Sequence, residues 1–501
     1  MPILARAALV LVLALFPARR APFRIEIVVV DEATSKPLPC RLHVRDAAGK
    51  PVKPPGHPFW RDHFVCAGTA ILDLPEGTYS VEVERGPEWS RATGTIAAKD
   101  DATEKRPMAL KRIADLKLDG WWSGDLHIHR ALEEAELHAG AEDLHIAPVI
   151  TWWNRTNLWA SKPGPAELLR KTADGRFIHS MGGEDEREGG ALLYHNLSKP
   201  VAITAATREH PSPMTFLEEV RKSPGAHVDI EKPFWWDVPV WASVGKADTI
   251  GIANNHMCRS QMLENEAWGR PRDAKRLPPP RGNGLWTQEI YYHLLNCGLR
   301  IPPSAGSASG VLPNPVGYNR VYVHVGPELG WEKWWEGLRA GRSFVTNGPL
   351  LLVKAAGELP GTVFKGAREV ELKATLVSND RIASIEVVRD GKVERTVSPE
   401  DLARTGSLGT LKLERSGWFL VRAIADEPKT FRFASTAPFY VEVGDEKRRV
   451  SRASAKFFLE WVDERRGRVK EADAARRAEV MRFQDDARAF WAALVERADA
   501  D

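Results

Sequence analysis

The chain has 501 residues, more than one hydrophobic core of about 250 to 300 residues can organise, so two to four domains are expected. Its 70 Lys and Arg against 67 Asp and Glu leave a net charge of +3 with the signs interspersed, which removes the electrostatic basis for a nucleic-acid partner. Four cysteines without C-x-x-C spacing argue against a disulfide scaffold or a zinc ribbon, and no segment is apolar over the length a stable membrane span needs.

Residues 1–21 read as a signal peptide. A basic start is followed by the apolar run Ala7 to Phe16 and by Pro17-Ala-Arg-Arg-Ala21, and a run this short cannot cross a bilayer core. The expected destination is therefore the periplasm, the cell surface or the exterior. Residues 22–112 then alternate as short strands: Arg24 to Val30, Arg41 to Arg45, Ala70 to Leu74, and a hairpin arm after Gly77. This predicts a β-sandwich, and Leu74-Pro-Glu-Gly-Thr-Tyr-Ser-Val-Glu-Val83 resembles the carboxypeptidase regulatory-like or transthyretin-like modules. Cys40 and Cys66 either pair after export or remain buried thiols. The lysine-rich stretch from Lys105 to Lys117 is expected to be a connector.

Composition changes over residues 118–349. Ten of the eighteen tryptophans fall between Trp121 and Trp286, and nine of the fourteen histidines between His127 and His256, so the chemistry is expected there. The strongest signal is Gly124-Asp-Leu-His-Ile-His129, because residues two apart on a strand face the same side and can offer two imidazoles to one ion. Two further segments accompany it: Gly182-Gly-Glu-Asp-Glu-Arg-Glu-Gly-Gly-Ala-Leu-Leu-Tyr-His-Asn196 and Gly341-Arg-Ser-Phe-Val-Thr-Asn-Gly-Pro349.

Together these segments resemble the PHP (polymerase and histidinol phosphatase) superfamily, and within it the CehA/McbA-type metallohydrolases. The resemblance implies a distorted seven-stranded β/α barrel with metal ions at the strand C-terminal ends. Carried over by position, it implies His127, His129, Glu184 and His195 as metal ligands. Trp152-Trp153, Lys232-Pro233 and Ser307-Ala-Ser-Gly310 stand where the family has further donors, so the expected site is reduced to one divalent ion: zinc, manganese or iron. His256 is the expected compensating ligand, and Asp229 and Glu231 lie near a lost one. Asp229, Glu231 or His256 would act as general base, and Lys232 or Arg130 would stabilise developing negative charge. Asp229 and Lys232 are the catalytic residues this reading favours.

The implied reaction is hydrolysis of an ester, amide or phosphoester by an ion-activated water. Trp121-Trp122, Trp152-Trp153 and Trp235-Trp236 beside expected ligand positions suit a small-molecule or glycan substrate. The alternative is an inactive PHP-like domain that serves as a ligand- or glycan-binding module. Asp185, Glu186 and Glu188 are expected to form a solvated loop, and His138, His145, His179, His210 and His227 to be ordinary.

Residues 350–446 return to β alternation around an Asp390-Gly391 hairpin turn and predict a second sandwich. Residues 450–501 predict a C-terminal helix, whole or broken into two, with an aromatic stripe at Phe458, Trp461, Phe483, Phe490 and Trp491. That stripe docks on the body of the protein or on a second copy, which makes self-association a candidate role. The fold class expected overall is multidomain: an α/β barrel between two β-sandwiches, with a helical tail.

Overall fold

A computed structural model describes residues 22–99, 102–154, 156–205, 207–444 and 448–500, so the leader expected over residues 1–21 lies outside the described residues. Strands Phe23–Asp31, Thr69–Leu74 and Thr103–Leu110 form one small sheet, and a five-stranded sheet centred on Cys40–Asp46 and Gly77–Glu84 faces it. Alternation dictates the arrangement: Phe23, Ile25, Ile27 and Val29 point inward, as do Ala70, Leu72 and Leu74. The expected connector begins inside this domain. Thr103–Leu110 pairs in parallel with Phe23–Asp31, and its Met108 and Leu110 are buried while Lys105 is exposed and Arg106 half-buried.

The middle region is mixed α/β and its sheet closes on itself. From Trp121–Gly124 it passes through Ile146–Trp153, Phe177–Arg187, Gly190–His195, His227–Ile230, Thr249–Ala253 and Pro303–Ala305, and it returns through Arg320–His324. Most of these strands run parallel, but Gly190–His195 is antiparallel to both of its neighbours, and so is Arg320–His324 to Trp121–Gly124.

Beyond Pro349 the strands form two sheets over a shared core, Leu350–Ala355 with Arg368–Val377 and Ser407–Leu413 on one side and the Gly417–Ala425 group on the other. Asp390 and Gly391 both take positive φ, 48° and 85°, as a tight primed hairpin turn requires. This sandwich is joined to the barrel by hydrogen bonds. Phe433–Thr436 pairs with Ser343–Thr346, which pairs with Arg320–His324, so the sheet continues across the boundary. The Gly341–Pro349 motif makes that joint: Thr346 Oγ1 accepts from Gly348 N, and the Asn347 amide donates to Phe431 O and accepts from Phe433 N.

The tail is two helices, Arg452–Arg468 and Ala474–Glu496, each capped by a side chain, Ser451 and Asp473 respectively. Its aromatic stripe is taken up by the chain itself. Phe458, Trp461 and Trp491 are fully buried in the same core cluster as Trp235, Trp241 and Trp286 of the barrel, and Trp491 Nε1 donates to Pro239 O at 3.0 Å. Phe483 and Phe490 are half-buried against the same cluster. No helix among the described residues is long and apolar enough to cross a membrane.

Two outcomes follow from this packing. Trp491→Ala should cost about 3 to 5 kcal/mol of stability, read by denaturant unfolding, because it empties a filled core position. Cys40 and Cys66 are direct cross-strand partners with their Sγ atoms 3.7 Å apart. A mild thiol oxidant should link them, with the loss of two hydrogens from the intact mass and a rise in stability of about 3 kcal/mol; full alkylation of both thiols after oxidation would refute this.

Candidate metal centre

The site is built where the parallel strands end, the face at which α/β sheets place their ligands. After Trp121–Gly124 the chain turns at Asp125, whose buried carboxylate accepts from the backbone N–H groups of His127 (2.9 Å), Ser307 (3.0 Å) and Gly317 (2.7 Å). Ile128 then bridges in parallel to Val149 and Ser309, so the segment stays extended and His127 and His129 fall on one side. The turn after Pro303–Ala305 lies against them closely. A Cβ on Gly306 would meet His127 Cβ at 2.5 Å, and one on Gly310, where φ is +100°, would meet His129 O at 2.6 Å.

Three donors converge. His127 Nε2 lies 3.0 Å from His129 Nε2 and 3.5 Å from Glu184 Oε2, and His129 Nε2 lies 3.2 Å from Glu184 Oε2. Ligands held about 2.0 to 2.1 Å from a tetrahedral ion stand roughly 3.4 Å apart, so the triangle has the dimensions of one face of such an ion's shell. The remaining nitrogen of His127 supports the fit. Its Nδ1 meets Glu231 Oε1 at 3.2 Å, the carboxylate–histidine pairing that points the other nitrogen at a metal. Glu231 is itself fixed by three donors: Lys232 Nζ at 2.5 Å, Asn255 Nδ2 at 2.7 Å and Trp235 Nε1 at 3.0 Å.

The charges agree with this arrangement. Burial opposes a charged imidazole at His127, but Glu184 and Glu231 outweigh it and raise its pKa to about 10. Burial also opposes the charge on both carboxylates. His127 and His129 nevertheless hold Glu184 well below the usual range, and Lys232 and His127 bring Glu231 down to about 2. A divalent ion at the triangle would replace the Nε2 proton of His127.

The other expected residues are placed differently. His195 lies one layer deeper: Leu193 is the cross-strand partner of both Glu184 and Asp229, and His195 is two residues further along, opposite His227 and against Trp335. Both of its ring nitrogens are buried without a hydrogen-bond partner among the described residues, and it is outside the converging set. His256 is also outside that set, tilted on Phe234 at 5.2 Å. Asp229, expected as a catalytic base, accepts from Ser304 and from Thr249 Oγ1 (2.5 Å), which in turn contacts His227 Nε2 (2.8 Å). Burial pushes Asp229 up to about 7 against those hydrogen bonds. Lys232, expected to stabilise substrate charge, is buried, paired with Glu231 and set over the Trp235 ring at 4.4 Å. Arg130 is engaged by Glu134 and by the face of Trp60.

Of the acidic residues after Glu184 expected in a solvated loop, Asp185 and Glu186 lie in the strand, and Glu188 lies in the turn that follows, half-buried and paired with Arg208. Asp185 is fully buried and gripped by Arg187, whereas Glu186, two residues from Glu184, shares its face and is half-buried. Burial, with Glu184 and Glu231 nearby, pushes Glu186 up to about 7. Glu186 and Asp125 are the two site residues whose roles sequence reasoning missed. The period-two spacing from Glu184 was the available signal for Glu186. Trp121, Trp152 and both Trp235 and Trp236 are buried; Trp152 stacks on Tyr194, Trp235 touches the site through its Nε1 bond to Glu231, and Trp153 stands edge-on to His129 at 4.9 Å.

A second grouping of the same residue types, His43, Asp62 and His63, lies in the first sandwich. Arg41 Nε donates to His43 Nε2 at 3.1 Å, so the ring proton sits on Nδ1, which faces Asp62 Oδ2 at 3.2 Å. Asp62 also takes His63 Nδ1 and Arg45. This is a hydrogen-bonded cluster: a metal at His43 Nδ1 would require a ring with no proton on either nitrogen.

No protein-family model and no curated protein matches the chain. Among solved structures, the fibronectin(III)-like modules of Clostridium thermocellum CbhA align with 18% of this chain and 94% of that one, at 14% identity and a TM-score of 0.14, a likeness too slight to bear on the site.

Glu231→Gln keeps the shape of the side chain but removes the charge that orients His127. It should weaken zinc affinity by about 10- to 100-fold in a competitive chelator titration, with little change in the far-UV spectrum; unchanged affinity would remove Glu231 from the site.

Proposed function

We propose that the middle domain is a metal-dependent hydrolase of the PHP type with a reduced, single-ion site, acting on an ester, amide or phosphoester bond of a small molecule or glycan. The observation that carries this reading is the convergence of His127, His129 and Glu184 at the strand ends, with Glu231 on the far nitrogen of His127. Histidine nitrogens with one carboxylate oxygen suit zinc, manganese or iron. Bound there, a divalent ion lowers the pKa of a coordinated water and polarises a carbonyl or phosphoryl oxygen.

The protein's own groups divide the remaining work. His127 and His129 present Nε2 to the ion, and Glu231 holds the His127 ring in place and keeps its proton on Nδ1. Glu186, half-buried on the face it shares with Glu184, is the carboxylate to which this reading assigns the proton of an attacking water. Lys232 neutralises Glu231, so that Glu231 stays an acceptor for His127. Trp153 forms one wall of the approach beside His129, and a flat apolar wall suits a sugar face or an aromatic ring. Export, which residues 1–21 suggest, would place this chemistry outside the cytoplasm.

The second reading is a binding module without turnover, favoured by one observation: only three donors converge among the described residues.

The deciding experiment pairs metal analysis with a screen of chromogenic ester, amide and phosphodiester substrates, on the parent and on His129→Ala. The expected result is near one equivalent of ion in the parent, lost in the variant together with hydrolysis while the circular dichroism is retained. Activity that survives loss of the ion would overturn the hydrolase reading; a retained ion with no turnover would favour the binding module.

A further inference from the structure

A second cavity, of about 410 Å³, opens where three parts of the chain meet: the end of helix Gly282–Asn296, the Asp390 and Trp418 edge of the second sandwich, and the first turn of helix Arg452–Arg468. It shares no lining residue with the metal centre. Among the described residues, six cationic side chains line it, Arg300, Arg389, Lys392, Arg415, Arg448 and Arg449, against the one carboxylate of Asp390. Asp390 takes Arg415 at 3.2 Å and Arg449 at 3.4 Å. Glu442 takes Arg300 at 2.7 Å and Glu394 takes Arg389 at 3.5 Å, both from outside the lining.

Among the described residues the six cations outnumber these three carboxylates, so positive charge is in excess at the cavity. Lys392 has no carboxylate within ion-pair distance among the described residues. Cations crowded into one concavity repel each other unless an anion joins them, and a low-dielectric wall focuses the field on that anion. The first turn of a 17-residue helix, with Ser451, Ala453 and Ser454 in the lining, adds its positive end. Guanidinium forks match the oxygens of phosphate and sulfate. Tyr440, with Arg300 over its ring at 4.7 Å, supplies a flat side for an organic skeleton, and the volume lies within the range of small-molecule sites.

We infer that this cavity binds a small organic polyanion carrying two or more phosphate or sulfate groups. The site does not depend on the hydrolase reading.

Isothermal titration of the full chain at low salt, in the parent and in His129→Ala to separate any binding at the metal centre, tests this with inorganic pyrophosphate, fructose 1,6-bisphosphate and a disulfated disaccharide, against chloride as control. The expected result is one-to-one binding of at least one probe that weakens with ionic strength. The Lys392→Glu/Arg415→Glu double variant, at two exposed positions, should weaken it about tenfold or more. Tighter binding of the bisphosphate or of the disulfated sugar identifies which ester the site is built for. Lys392→Gln with Arg415→Gln guards against a folding defect from charge reversal, and should give an intermediate loss. Heats no larger than those of chloride, or equal affinity in parent and double variant, would overturn the proposal.

Discussion

The hydrogen bond between Glu231 and His127 Nδ1 is the constraint on which the rest of the site depends. A histidine ligates with whichever nitrogen its other partner leaves free, and a carboxylate at Nδ1 commits Nε2 to the metal side. A buried carboxylate can do this only if its own charge is satisfied. Lys232, Asn255 and Trp235 supply that satisfaction, and they arrive on two different loops, after His227–Ile230 and after Thr249–Ala253. Bringing those loops to one carboxylate requires the strands beneath them to be in register, which ties the site to the closure of the sheet.

The same dependence reaches outward to the flanking domains. Asp143, just before strand Ile146–Trp153, is buried and receives Trp89 Nε1 at 3.0 Å and Arg112 at 3.0 Å from the first sandwich and its exit, with Arg176 at 2.6 Å from the barrel. Arg41 of the first sandwich reaches Glu142 beside it. Removing one partner from a buried pair strands a charge and costs about 3 to 5 kcal/mol, so such contacts fix an interface even where they add little net stability. On the opposite side, Arg465 of the tail grips Glu209 and Asp237. The tail therefore braces the loop that carries Glu231, and the first sandwich braces the entry to strand Ile146–Trp153.

What was legible in the sequence was local. Alternation in Phe23–Asp31 and Gly417–Ala425, the Asp390-Gly391 turn and the His-x-His pair each follow from the nearest few residues. What was not legible depended on residues brought together from far apart. Thr103–Leu110 has too many charges to read as a strand until its parallel partner is known. Lys232 reads as a free cation until Glu231 is seen to hold it, and Asp229 reads as a base until Ser304 arrives from 75 positions away. His195 follows Glu184 at the expected distance along the chain, yet the antiparallel step through Gly190–His195 carries it a layer below the donors.

The two histidine clusters show why composition alone could not choose between them. Each has two imidazoles and one carboxylate within a few ångströms. At His127 the outer partner is an acceptor, so the ring proton is drawn outward and the inner nitrogen is left with a lone pair for an ion. At His43 the outer partner is Arg41, a donor, so the outer lone pair is consumed and the inner nitrogen must carry the proton toward Asp62. The sign of one neighbouring charge thus turns the same residue set into a ligand triangle in one domain and a hydrogen-bonded clamp in the other.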